Sequence, residues 1–160
     1  MISAHEVVRE ILEMLRLQPI FSAIEVKELL LAELDVIKAD HGQLHQAFLN
    51  LILNAADAIE GTHCQRNGRI SICSENISEN ENSVLKKPAI KLSFIDNGEG
   101  ICAEYTEKIF DPFFTTKAPG KGTGLGLGIV KRLATHANGA ILLTTDSHGT
   151  KFTVLLPAKA

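Results

Sequence analysis

Tryptophan is absent from this 160-residue chain, and aromatic residues make up only 5% of it. So few flat side chains exclude a base-stacking nucleic-acid surface. A net charge of −3 excludes the basic footprint that such a surface needs. Cys64, Cys73 and Cys102 form no C-x-x-C pair, and an odd count at loose spacing reads as free thiols in a reducing compartment. No apolar run approaches the roughly 18 residues of a spanning helix. The opening MISAHEVVRE lacks a signal-peptide pattern. The expectation is one globular domain, cytoplasmic, with no nucleic-acid partner and no direct membrane contact from this segment.

What the chain does have is hydrophobic periodicity. Val7, Val8, Ile11, Leu12 and Leu15 predict an amphipathic helix over 4–17, ended by Pro19. Two apolar runs, Ile24–Leu31 and Leu34–Ile37, read as a strand pair. Leu44, Ala47, Phe48, Leu51, Ile52, Ala55 and Ile59 predict a helix over 43–59 that stops at Gly61. Strands are expected at Arg69–Ser74 and Ile90–Ile95, with a mobile surface connection over Glu75–Lys87. A short helix is expected over Ala103–Ile109 and a longer one over Thr123–His136. A hairpin over 140–156 closes the chain. This order suits a two-layer α/β sandwich. Its sheet would be mixed and mostly antiparallel, of about five strands plus an N-terminal strand pair, with helices on one face.

Glycine is concentrated where chemistry is expected. Asp96-Asn97-Gly98-Glu99-Gly100 is followed by Phe110-Asp111-Pro112-Phe113-Phe114-Thr115-Thr116-Lys117, then by glycines at 122, 124, 126 and 128 that run into a helix. A helix start after such a run offers free N–H groups and a positive dipole end, which suits phosphate. Two familiar glycine motifs are excluded. A P-loop needs Ser or Thr after its Lys, but Lys121 is followed by Gly122; a dinucleotide fingerprint needs glycine where Leu127 stands.

Asn50, Asn54 and Asp57 share one helical face at steps of four and three. A solvated face is the ordinary reading of such a stripe. Amide oxygens also suit Mg²⁺, which is often shared with substrate phosphates. Asp96 closes an apolar strand. It reads either as turn chemistry or as an acceptor for the exocyclic amine of adenine, which would select adenine over guanine. Lys117 and Lys121 lie in a loop with Pro119 and Gly120, where they could screen phosphate charge or simply solvate the loop.

Taken together, these segments resemble the ATP-binding catalytic domain of a sensor histidine kinase, within the GHKL ATPase superfamily. The N-box is Gln46–Ile59, the first glycine box Asp96–Gly100, the F-box Ile109–Lys117 and the second glycine box Gly122–Gly128. Gly149-Thr150-Lys151-Phe152-Thr153-Val154 is also similar to that family, and the match covers about residues 4 to 157. The resemblance implies a GHKL fold with ATP and Mg²⁺ as cofactors. It assigns the metal to Asn54 and catalytic support to Asn50, with Asp57 and Ala58 also against ATP. Asp96 would bind the adenine amine, with Thr150 in the same network and Gly98, Gly100 and Ile101 close to the base. Residues 102–122 would form an ATP lid carrying Phe110, Phe114, Thr115, Thr116, Lys117 and Lys121. Gly122, Thr123, Gly124, Leu125, Gly126 and Leu127 would wrap the phosphates.

Within the superfamily, gyrase and mismatch-repair ATPases carry a general-base Glu where Asn50 stands. An amide takes no proton near neutral pH, so poor hydrolysis is expected. The F-box wording is most similar to nitrogen-regulation and dicarboxylate-sensing kinases, from which Gly128 departs mildly. No phosphoacceptor setting is present: His5-Glu6 starts like one, but Arg9 and Glu10 take the places of the expected Asn/Thr and Pro. The whole of 1–160 therefore reads as one catalytic domain, without dimerisation or sensor domains. Its implied partners are the dimerisation and phosphoacceptor domain of a parent kinase and a cognate response regulator. An anti-sigma-type serine kinase of the same fold, and a non-catalytic nucleotide-binding module, are the alternatives.

Overall fold

The computed structural model describes residues 1–61, 67–120 and 122–158. Strand β1 (Ile2–Ser3) leads directly into helix α1 (Ala4–Leu15), whose first turn is closed by Ser3 Oγ accepting from the Glu6 N–H at 3.1 Å. Val7, Val8, Ile11, Leu12 and Leu15 are buried, as their spacing predicts. The helix stops before Leu17, which is 89% exposed. Pro19 then opens a 3₁₀ turn over Pro19–Ala23. Helix α2 (His41–Glu60) is capped by Asp40, whose carboxylate accepts from the Gln43 N–H at 3.0 Å. Its buried stripe runs through Leu44, Ala47, Phe48, Leu51, Ile52 and Ala55.

One five-stranded sheet lies under the helices. Its strands are β2 (Ile24–Leu30), β4 (Gly68–Ile77), β5 (Ala89–Asp96), β7 (Gly149–Pro157) and β6 (Ala140–Asp146), in that spatial order. β2 runs parallel to β4, and every other pairing is antiparallel. Alternate residues of the central strands, among them Ile70, Ile72, Leu92, Phe94 and Val154, enter the core beneath α1 and α2. Phe48 on α2 meets Phe94 on β5 with ring centroids 5.2 Å apart. The expected α/β class and mixed five-stranded sheet are therefore present.

Four local expectations need correction. The apolar runs after Pro19 do not pair with each other: β2 joins the main sheet, while β3 (Val36–Ile37) pairs antiparallel with β1. The segment after Cys102 is 3₁₀ helix only over Ala103–Tyr105, followed by turns that bury Ile109. Helix α3 spans Gly126–His136 and does not begin at Thr123, because Gly124 holds a positive φ of 68°, outside the helical region. The Glu75–Lys87 connection is shorter than expected, since β4 continues to Ile77. The turn that follows is anchored by Asn82, only 2% exposed, whose amide accepts from the Leu85 N–H and donates to the Lys87 carbonyl.

A polar knot joins the first elements. His5 is buried; its Nε2 lies 2.7 Å from Ser74 Oγ on β4, and its Nδ1 lies 3.5 Å from the Asp35 carboxylate, which also accepts from Ser3 Oγ. Burial holds the imidazole pKa below its ordinary value, against a smaller opposing pull from Asp35. The unfolded chain therefore takes up a proton here before the folded one does. His5 contributes its full stability above pH about 6.5 and loses it as pH falls toward the lower folded value. In His5→Gln the decline in urea midpoint between pH 7 and pH 5 should be shallower than in the parent; parallel declines would show that His5 is not the group responsible.

Candidate nucleotide-binding site

Asp96 is the last residue of β5, set opposite Thr150 on β7. It is only 7% exposed, and its carboxylate accepts from the Gly98 N–H at 2.8 Å. Burial pushes its pKa up to about 6, although backbone donors from Gly98 and Thr150 pull the other way. A carboxylate kept this dry gains from every further donor it can accept from. Thr150 Oγ1 lies 3.2 Å from Thr145 Oγ1, which accepts from the Ile101 N–H at 2.9 Å. Thr145 was not among the residues expected here. Its place opposite Thr150 in the closing hairpin was the available signal.

The glycines around Asp96 have a packing reason in this structure. A Cβ on Gly98 would stand 2.7 Å from the Ala58 carbonyl carbon on α2, and one on Gly100 would stand 1.8 Å from the Asp146 carbonyl oxygen. Gly100 also has a φ of 76°. Absent side chains thus let the loop after β5 close against both α2 and the β6–β7 turn. Ala58 and Ile101 line this junction, each partly buried.

Asn50, Asn54 and Asp57 lie on one face of α2, all half-buried, opposite the stripe that packs on the sheet. Asn50 Nδ2 donates to the carbonyl of Gly126, the first residue of α3, at 3.2 Å. Leu125, at the cap position, supplies no side-chain acceptor to the first turn of α3. Those N–H groups are left for another acceptor, and an anion suits them. Lys117 Nζ pairs with the Asp57 carboxylate.

Between these anchors runs the segment expected to be a lid. Phe114 meets Tyr105 at a tilt with centroids 5.6 Å apart, and Phe110 meets Phe152 edge-on at 6.3 Å with Lys131 Nζ 5.7 Å above its ring. Both rings anchor the segment to the core. Phe113, with φ of 67°, is 75% exposed and donates its N–H to the Gly124 carbonyl at 2.9 Å. A side chain on Gly122 would come within 2.7 Å of Thr115 Oγ1. Thr116 and Thr123 are exposed, and Leu127 is partly buried against the core. Lys121 lies outside the described residues. Two surface hollows, one beside Leu12, Leu15 and Phe21 and the other beside Lys38, Gln43 and Leu133, are lined by none of these residues.

A profile of the histidine kinase-, DNA gyrase B- and HSP90-like ATPases matches residues 39–160. The chain belongs to this ATPase family. It is 36% identical over 126 residues to the two-component sensor PprA of Pseudomonas aeruginosa, covering 78% of this chain and 13% of that protein. The catalytic domain of histidine kinase ThkA superposes with a TM-score of 0.76 at 30% identity, covering 98% of this chain and 93% of that one. Full-length ShkA in complex with AMPPNP superposes with a TM-score of 0.78 at 25% identity, covering 99% of this chain and 31% of that one. The chain thus spans a small part of the sensor it matches, and nearly all of a kinase catalytic domain.

For an ATPase of this family the groove has a suitable donor set. Asn50 and Asn54 offer amide oxygens of the kind Mg²⁺ takes, while the Asp57 carboxylate is taken by Lys117. Among the described residues, no group of three or more His, Cys, Asp or Glu is placed to hold a metal. The burial of Asp96 has a measurable consequence. Its folded pKa is raised, so the cost of ionising it is absent at low pH and appears as pH rises through about 6. Without nucleotide, Asp96→Asn should be more stable than the parent at pH 7.5, by on the order of 2 kcal/mol. An equal or lower thermal midpoint would contradict the burial argument.

Proposed function

We propose that this chain binds Mg-ATP and donates the γ-phosphate to a histidine on a separate dimerisation domain of a two-component sensor kinase. The observation that carries the reading is the buried carboxylate of Asp96 at the sheet end, coupled to Thr150 and Thr145. It suits the exocyclic amine of adenine and leaves guanine's carbonyl facing an acceptor. The amino end of α3 suits the phosphates, with Lys117 near by. Asn54 would hold Mg²⁺ beside Asn50; the metal supplies charge neutralisation on the phosphate oxygens. Thr116 and Thr123, both exposed, and Thr115 are the lid hydroxyls available to the phosphate chain.

In the transfer, the bond from the γ-phosphorus to the bridging oxygen breaks, ADP leaves, and a histidine nitrogen of the partner domain takes the phosphoryl group. Such chemistry asks the protein mainly for positioning and electrostatics. Asn50 offers no base for water, which favours keeping the γ-phosphate for a protein acceptor. The rest of the reading follows: one domain over 1–160 with a lid near 102–122, working in the cytoplasm or as the cytoplasmic part of a membrane-bound sensor. Its partners are the parent's dimerisation domain and a response regulator.

Calorimetry should give Mg-ATP binding to the isolated chain, and weaker GTP binding by roughly 1–3 kcal/mol, the cost of an unmade buried hydrogen bond. Equal affinities would remove Asp96 from the adenine site. Asn54→Ala should reduce radiolabel transfer to the separately supplied dimerisation domain far more than it reduces adenosine binding. Label on His5 of the chain alone, or rapid hydrolysis by it, would overturn the proposed division of labour.

A further inference from the structure

We infer that Asp57 and Lys117 form a latch across the phosphate end of the groove, and that incoming phosphates must displace it. The inference rests on the reading of this groove as an ATP site. Asp57 ends the polar stripe of Asn50, Asn54 and Asp57 on α2, and its carboxylate takes the ammonium of Lys117, sixty residues further along the chain. The position of Lys117 is not that of a free surface cation. Its N–H donates to Thr115 Oγ1 at 3.1 Å, and its stem packs on Gly122, where a Cβ would approach Lys117 Cδ to 3.1 Å. At the far end of the same segment, Asn50 holds the Gly126 carbonyl. Lys117 and Gly126 are therefore each tied to α2 by a residue of one stripe.

The chemistry makes the tie conditional. A carboxylate beside a triphosphate repels it, and a lysine committed to that carboxylate is not available to phosphate. Phosphate oxygens offer Lys117 a more highly charged partner, so the lysine exchanges one anion for another. Asp57 is thus a positioning residue: it acts on nucleotide through Lys117, holding that lysine against α2 until phosphate takes it. Both side chains are partly exposed, 41% for Asp57 and 36% for Lys117, so the tie is weak enough to exchange.

Hydrogen exchange and calorimetry on the whole chain test this. Without nucleotide, Asp57→Asn should raise the exchange rate of the amides at 113–118, and Mg-AMPPNP should bind it about two- to fivefold more tightly than the parent. Lys117→Met should loosen the lid equally but bind Mg-AMPPNP more weakly. Unchanged lid exchange in Asp57→Asn would overturn the latch. So would weaker nucleotide binding by that variant, the result expected of a carboxylate that ligates the metal. If Asp57→Asn loosens the lid while the parent binds no Mg-AMPPNP, the pair is only a structural tie and the ATP reading is overturned separately.

Discussion

Everything in this molecule depends on α2 lying flat on the sheet. Leu44, Phe48, Leu51, Ile52 and Ala55 bury one side of the helix, and Phe48 meets Phe94 of β5. Burial of side chains this size contributes roughly 1.5–3 kcal/mol each. With its rotation so determined, the helix has no freedom about where Asn50, Asn54 and Asp57 point. The same packing brings Ala58 to the backbone of Gly98 and so sets the loop that follows Asp96. Core and site are opposite sides of one helix.

The site itself works against the fold. A carboxylate at the end of a central strand, 7% exposed and with its pKa raised to about 6, is a stability cost at neutral pH. The fold bears that cost because β5 is held on both sides, by β4 and by β7, along its whole length. The segment proposed as a lid lies at the other extreme. Its ties to α2 are few and partly exposed, which is where opening is least costly. On the proposed reading, a rigid adenine end and a releasable phosphate end would let the chain bind nucleotide firmly and still admit a protein acceptor.

The sequence made the long periodic elements legible, because α1, α2 and the central strands are each dictated by local burial patterns. It also placed Asp96 at a strand end and the three polar residues on one face of α2. It did not reveal which strands pair. The two runs after Pro19 look alike in composition, and only the parallel crossover to β4 separates them. Nor did it give the start of α3, since a run of alternating glycines hides which of them is left-handed; Gly124 is, and Gly126 opens the helix. Thr145 was missed because its role depends on the register of β6 against β7. The Lys117–Asp57 pair joins residues sixty positions apart, which no spacing rule reaches.

A crystal structure of this chain with Mg²⁺ and AMPPNP would test the central claim most directly. The account places the adenine amine on the Asp96 carboxylate, the phosphates at the amino end of α3, and the Lys117 ammonium on phosphate with Asp57 released. A nucleotide bound elsewhere, or an adenine in the groove making no contact with Asp96, would contradict it.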